Sequence, residues 1–409
     1  MTNLPIYTPP TGIALPLVVP VRQRFDTNRL TDLEGAIRHA VQQAGSTIRP
    51  GMRVAITAGS RGIAEIARIT ALVAAEVRRL GADPFVVPAM GSHGGATATG
   101  QLAVLASYGI TADQVGCPIE ATMETTVVGT TDAGIAVRVD SIALRADAII
   151  LLNRVKPHSI LTGELGSGLM KIAAIGLGNH AGAASIHQAG LSEHLIPVAR
   201  MVLAHAPVRL GIAIVENSLD QVWKIEGVAA DQIEAADRRL LAQARALLPD
   251  LPFDPIDILI VDQIGKNISG TGMDPNVIGM HRRVGGPAEK QIARIIALGI
   301  SPESHGNANG VGMADIITQQ LRDQIDWPTT WANALTADFL EGLKLPITCA
   351  TPSDALALAM RAHAADQVRL VRISDTAHLE TMWISTGLLA LAQANPQLEI
   401  LGDPAPIVW

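Results

Sequence analysis

Three kinds of side chain in this sequence could do chemistry near neutral pH: loop histidines, polar residues framed by glycine, and a lysine in an apolar setting. His93 lies in GSHGGAT (91–97) and His158 closes RVKPH (154–158), each in the exit loop of a predicted strand. An imidazole takes and returns protons near neutrality, so the two are candidate paired general bases. The competing account is a loop histidine engaged in a structural hydrogen bond. Lys171 sits in LMKIAAIG, where a buried ammonium is costly unless it is paired, neutralised or covalently used. A lysine snorkelling from a helix edge would look the same. His187, sixteen residues further on, is either a metal ligand or a helix-face histidine.

Glycine-rich turns let backbone N–H groups approach a phosphate, and a following helix N-terminus adds a favourable partial charge. AGSRG (58–62) and GSHGGAT suit that role through Ser60, Arg61, Gly91, Gly94 and Gly95, although a chain with 37 glycines also makes such runs as ordinary turns. Neither loop matches GxxxxGK[ST] or GxGxxG, so Walker-type ATP chemistry and ordinary dinucleotide binding lack their usual marks. Two further segments carry polar residues among glycines: DQIGKN (262–267) and ELGSGLMKIAAIGLGNH (164–180).

These loops need strands and helices to hold them. The runs 53–58 (RVAITA), 84–87, 146–152 and 208–215 predict strands, and 63–80, 101–108 and 229–248 predict helices, with a β-rich stretch over 125–139. Strand, loop, helix in succession implies parallel strands joined by right-handed crossovers. LPDLPFDP then supplies three prolines in eight residues, a domain linker. Beyond it, 257–262 (DILIVD) and 367–373 predict strands, and 289–298, 315–323 and 353–364 predict helices. The expected architecture is two Rossmann-like α/β domains with an active-site cleft between them. Residues 1–250 would form the cofactor-binding and catalytic domain. Residues 251–409 would form a second domain contributing to the substrate cleft, with its last residues able to pack back on the first.

Composition closes several other doors. The chain has 409 residues, 31 Lys plus Arg against 38 Asp plus Glu, a net charge of -7 and only 3% aromatics, which argues against a nucleic-acid surface. Its two cysteines, Cys117 and Cys349, form no CxxC pair, as expected in a reducing compartment. Mean hydropathy is +0.29, yet no run of about 18 apolar residues is present, and MTNLPIYTPPTG has no signal-peptide pattern. A soluble cytoplasmic protein is expected. Only six of the 31 basic residues are lysine, so Lys171 and Lys266 stand out.

The segments GADPFVVPAMGSHGGAT, NRVKPH, SGLMKIAAIGLGNH and NISGTGMDPNVIG, in this order, resemble the nickel-dependent lactate racemase family over most of the chain from about Arg53 to beyond Asp274. The resemblance implies an isomerase, a 2-hydroxy-acid racemase or epimerase, served by a nickel-pincer nucleotide. That cofactor is a pyridinium-3-thioamide-5-thiocarboxylic acid mononucleotide whose carbon and sulfur atoms grip nickel. It implies Lys171 as the covalent anchor, His187 as the nickel ligand with His180 as a local alternative, and His93 and His158 as acid/base catalysts. Arg61, Gln263 and Lys266 would bind the substrate, Arg61 and Lys266 clamping its carboxylate. Cofactor-synthesis proteins would be partners. Imidazole nitrogen and soft sulfur suit square-planar nickel.

The resemblance also implies hydride abstraction from C2 and its return to the opposite face, with one histidine on each side. Three departures bear on the substrate first and the covalent link second. The first loop reads AGSRGI, with no acidic residue before Arg61 and no prolines after it; the stretch between His158 and Lys171 is longer than in the lactate enzyme; and GSGLMK replaces a more compact glycine-lysine pattern. A substrate-side tryptophan of the lactate enzyme would correspond to Trp327 or Trp331. Asp274, in Asp-Pro-Asn, is expected to serve a turn. Two other readings compete: a nickel- or nucleotide-binding homologue without catalysis, and a nicotinamide-type oxidoreductase, the latter weakened by the missing dinucleotide fingerprint.

Overall fold

The computed structural model describes residues 5–43, 47–60, 62–161 and 163–409. In chain order its strands are β1 (Leu17–Gln23), β2 (Arg53–Ala58), β3 (Asp83–Pro88), β4 (Thr125–Thr130), β5 (Ala136–Asp140), β6 (Ala148–Arg154), β7 (Val208–Glu216) and β8 (Val222–Ala229). They continue as β9 (Ile256–Ile264), β10 (Ile292–Ile300), β11 (Ile316–Thr318), β12 (Ile347–Cys349), β13 (Leu370–Ile373), β14 (Thr381–Ser385), β15 (Leu398–Ile400) and β16 (Ala405–Pro406). The chain divides into two compact units, Asp26–Leu248 and Met1–Phe25 with Pro249–Trp409.

The Asp26–Leu248 unit is built on a five-stranded sheet ordered β3-β2-β6-β7-β8. The first four are parallel and β8 returns antiparallel to β7. Strands buried on both faces are apolar along their buried length, as VAI in β2 and AIILL in β6 are, with Thr57 the buried polar exception in β2. Their alternation splits them between two cores: Val54, Ile56, Ala148, Ile150 and Leu152 face one cluster, while Ala55, Ile149 and Leu151 face the other. The helix Ile66–Arg79 buries Ile66, Ile69, Thr70, Val73, Ala74 and Val77, the spacing of a helix lying on a sheet. It begins later than the predicted Ile63, because Glu65 has φ +56 and the Ala64 N–H is taken by the Glu216 carboxylate at 2.6 Å. The expected β-rich stretch is the hairpin of β4 and β5.

The second unit holds a nine-stranded mixed sheet, β12-β11-β10-β9-β13-β14-β1-β15, with β16 also paired to β1. Strands β12 to β13 run parallel, and β14, β1 and β15 antiparallel. Four expectations are corrected here. Residues 1–25 do not belong with a first domain ending at 250: β1 buries Val18, Val19 and Val21 and pairs with β14 and β15 in the second sheet. The last residues likewise pair with β1 within this unit. Residues 289–298 are no helix but contain most of β10, parallel to β9. Ile292, Ile295, Ile296 and Ile300 do fall at helical spacing, but isoleucine is β-branched, and a strand buried among neighbours prevails. The predicted helix at 315–323 is in fact the short strand β11 followed by the helix Gln319–Asp323, capped by the Thr318 side chain.

Ile260 is fully buried in β9, flanked by β10 and β13. Ile260→Ala should cost about 2–5 kcal/mol, seen as a lower urea midpoint with unchanged slope.

Candidate functional site

Lys171 is placed by an unusual piece of backbone. After β6 the chain leaves through RVKPH and returns where Lys156 and Ser167 exchange backbone hydrogen bonds, both 2.9 Å. Gly168 follows, with its carbonyl accepting from Asn153 Nδ2 at 2.8 Å, at the end of β6. A Cβ on Gly168 would stand 2.6 Å from Asp237 Oδ2, so only glycine passes here. Asp237, 3% exposed, accepts the next two N–H groups, Leu169 at 3.0 Å and Met170 at 2.7 Å. One helical turn, Leu169–Lys171, then runs into a π-helical turn, Ile172–Gly176. Such turns are rare and concentrate at functional sites.

The half-buried Lys171 Nζ lies 2.9 Å from His158 Nε2. On the other side of the ring, Nδ1 accepts the Ile160 N–H at 3.2 Å. The contact between the two side chains therefore runs through Nε2, and which of them donates in it follows the ring tautomer.

His187 and His180 both lie on the helix Asn179–Ala189, and both are exposed. Although solvent reaches His187, its pKa is lowered, first by burial of the ring and then by the charge of Lys171 when protonated. That places His187 within electrostatic reach of Lys171. At the start of the helix the fully buried Asn179 donates to Asp140 Oδ2 at 2.8 Å and to the Thr122 carbonyl at 3.0 Å. Burial raises the Asp140 pKa, opposed by hydrogen bonds from Ala143, Asn179 and Ile142.

The GSHGGAT loop packs on the same π turn. Gly91 N–H donates to the Gly176 carbonyl at 3.2 Å, and the fully buried Gln101 holds the Gly91 carbonyl at 3.0 Å. Gly94 has φ +67 and Gly95 φ +64 in the short turn after His93. His93 is exposed, and its Nδ1 lies 2.8 Å from the Met90 carbonyl. Nδ1–H donates there, leaving Nε2 as the nitrogen that accepts a proton.

Arg61 lies outside the described residues. Its neighbours are tied down: Tyr108 OH donates to the Ser60 carbonyl at 3.0 Å, and Glu216, ion-paired with Arg154, holds Ala64. A cavity of about 530 Å³ opens beside Gly62, Glu65 and Tyr108, but it shares no lining residue with the Lys171 group. In the other unit, Gln263 is exposed at the end of β9 and its N–H donates to the Ser374 carbonyl at 2.9 Å. Lys266 Nζ donates to Asn333 Oδ1 at 2.7 Å and to the Gly270 carbonyl. Asn333 belongs to the helix Trp327–Thr336, so Lys266 and the Trp327–Trp331 ring pair, with centroids 5.9 Å apart, share one helix as support. Asp274 serves its turn, accepting from Asn276 N–H at 2.9 Å.

No family model and no curated protein sequence matches the chain. Solved structures do. The lactate racemase apoprotein from Thermoanaerobacterium thermosaccharolyticum aligns with TM-score 0.56 at 13% identity, over 88% of this chain and 98% of that one. A protein from Thermotoga maritima aligns with TM-score 0.51 at 14% identity, over 87% and 99%. The fold is α/β and lactate racemase-like.

Asp237 and Asn153 had no place among the sequence candidates. A signal was available for Asp237. In the helix Ile233–Ala246 the buried positions are Ile233, Ala236, Asp237, Leu240, Leu241 and Ala244, so a carboxylate stands on the apolar stripe. Burial is the largest cause pushing its pKa up to about 6, opposed by the Met170 and Leu169 N–H groups. A folded-state value raised above 3.8 means that this contribution to stability is fully present below that pH and is lost as pH rises through about 6. The shift corresponds to about 3 kcal/mol. Urea unfolding from pH 4 to 7 should show the wild type losing about that much relative to Asp237→Asn. Parallel pH profiles would show that Asp237 does not titrate in this range.

Proposed function

We propose that this chain is a 2-hydroxy-acid racemase or epimerase that works with a nickel-pincer nucleotide joined to Lys171. The observation that carries the proposal is the 2.9 Å contact between Lys171 Nζ and His158 Nε2, which sets an imidazole able to take a proton against the amine. Among the described residues no three His, Cys, Asp or Glu side chains gather as a metal site. A pincer brings its own carbon and sulfur donors, so one imidazole is the fitting protein contribution. His187 is the proposed ligand for its electrostatic reach to Lys171, and His180 the alternative on the same helix. Ser60, Arg61, Gly91, Gly94 and Gly95 are the proposed contacts to the nucleotide.

Removing a proton from the carbon beside an ionised carboxylate places a second negative charge next to the first. When bound, the nickel group supplies instead the two-electron oxidation and reduction of that C2 centre. The protein then manages the hydroxyl proton and the carboxylate. His93, with Nδ1 turned to the Met90 carbonyl, offers Nε2 for the proton on one face. His158 is the proposed proton carrier on the other face, through the Nε2 that faces Lys171. Arg61, Gln263 and Lys266 are the proposed carboxylate contacts, a bidentate guanidinium being the strongest of them.

His93→Ala should lower racemisation by about 10²–10⁴-fold and leave cofactor loading intact. His158→Ala should lose racemisation to the same degree and also slow loading, because it removes the partner of the Lys171 amine. Lys171→Ala should lack the covalent mass increment that intact-mass measurement finds on protein co-expressed with cofactor-synthesis enzymes. Chiral analysis of a 2-hydroxy-acid panel is the direct test of activity. Nickel and covalent mass with no inversion of any acid would assign a binding role instead.

A further inference from the structure

We propose that Asp237 is the positioning residue for Lys171: its carboxylate fixes the Leu169 and Met170 N–H groups and thereby sets the lysine amine against His158. The proposal deepens the role given to Lys171 above and rests on that reading.

Lys171 follows directly on Met170, so the bond that fixes the Met170 N–H also fixes where the Lys171 backbone starts. The helical turn Leu169–Lys171 is three residues long and leads into a π turn, with the Ile172 N–H donating back to the Gly168 carbonyl at 3.1 Å, so this short turn depends on how its first residues are held. The first N–H groups of a helix lack intrahelical partners. Two of them are met here by one carboxylate from the helix Ile233–Ala246, at 3.0 and 2.7 Å. Asn153 holds the preceding Gly168 carbonyl at 2.8 Å from β6, the strand whose exit loop carries His158. The clamp thus links both partners of the pair to a common strand and helix. Gly168 completes it, since any Cβ there would collide with the Asp237 carboxylate.

The charge of Asp237 is what this role needs. An ionised carboxylate accepts at both oxygens, and charge-assisted bonds of this kind are about twice as strong as neutral ones. An asparagine of the same shape accepts at one end and turns its own N–H₂ toward the other donor. A residue present only to fill space would tolerate that change.

Reductive methylation of the cofactor-free protein with formaldehyde and cyanoborohydride reads the amine directly. Lys344, which is exposed, is the internal reference, and peptide mass spectrometry gives both rates. At pH 7 the Lys171/Lys344 ratio should exceed one in the wild type and fall by roughly tenfold in Asp237→Asn, as expected for losing hydrogen bonds to a charged group. The pH–rate profile of Lys171 should then merge with that of Lys344. Asn153→Ala, a milder change, should lower the ratio in the same direction. A merely structural role would move the melting temperature and leave ratio and profile where they were. An unchanged ratio in variants that keep the wild-type circular dichroism overturns the clamp. A wild-type ratio at or below one overturns it through the amine itself and takes the Lys171 reading with it. A ratio that falls while Lys171→Ala still carries the cofactor leaves the clamp standing and removes the anchor.

Discussion

A lysine nitrogen withdrawn from water must be given a partner, and in this chain the partner is an imidazole whose far nitrogen is already committed. Much of the Asp26–Leu248 unit serves that one contact. Strand β6 delivers His158 and Asn153, the helix Ile233–Ala246 delivers Asp237, and the glycine at 168 allows the two layers to meet without a side chain between them. The GSHGGAT loop is fastened to the π turn by Gly91 and Gly176, so the loop that carries His93 is referenced to the same backbone.

Such placement has a thermodynamic cost. Asp237 is buried and its pKa is pushed up to about 6, so near neutrality it is held ionised against the preference of its surroundings. A leucine at that position would suit the apolar stripe better and would leave two N–H groups orphaned in the core. Stability is given up where a site needs a defined geometry, a common pattern around functional residues.

The strands of the first sheet were legible because a doubly covered parallel strand is mostly apolar, and RVAITA, apolar but for Arg53 and Thr57, matches β2 residue for residue. The candidate loops were legible for the same reason: they follow those runs. The misread segment, 289–298, shows the limit, since its isoleucines satisfy helical spacing and strand preference together, and only the neighbours β9 and β11 decide. Asp237 was less legible because a carboxylate in a helix with several charged residues reads as solvated until the buried face of 233–246 is known. The Lys171–His158 pair lay beyond sequence altogether: thirteen residues separate the two, and their contact depends on the Lys156–Ser167 bridge that folds the intervening stretch back.

The place of β1 bears on how the chain comes to be folded as it is made. Asp26–Leu248 is one uninterrupted segment, complete in itself once its last strand and helix exist. The other unit is split, and β1 must find β14 and β15 hundreds of residues downstream. During synthesis the earliest strand therefore waits with Val18, Val19 and Val21 unpaired and apolar while an entire domain emerges and folds behind it. Closing so long a loop is slow although its entropic cost grows only logarithmically with length. The pairing that completes this sheet thus joins segments far in sequence from every residue proposed to do chemistry.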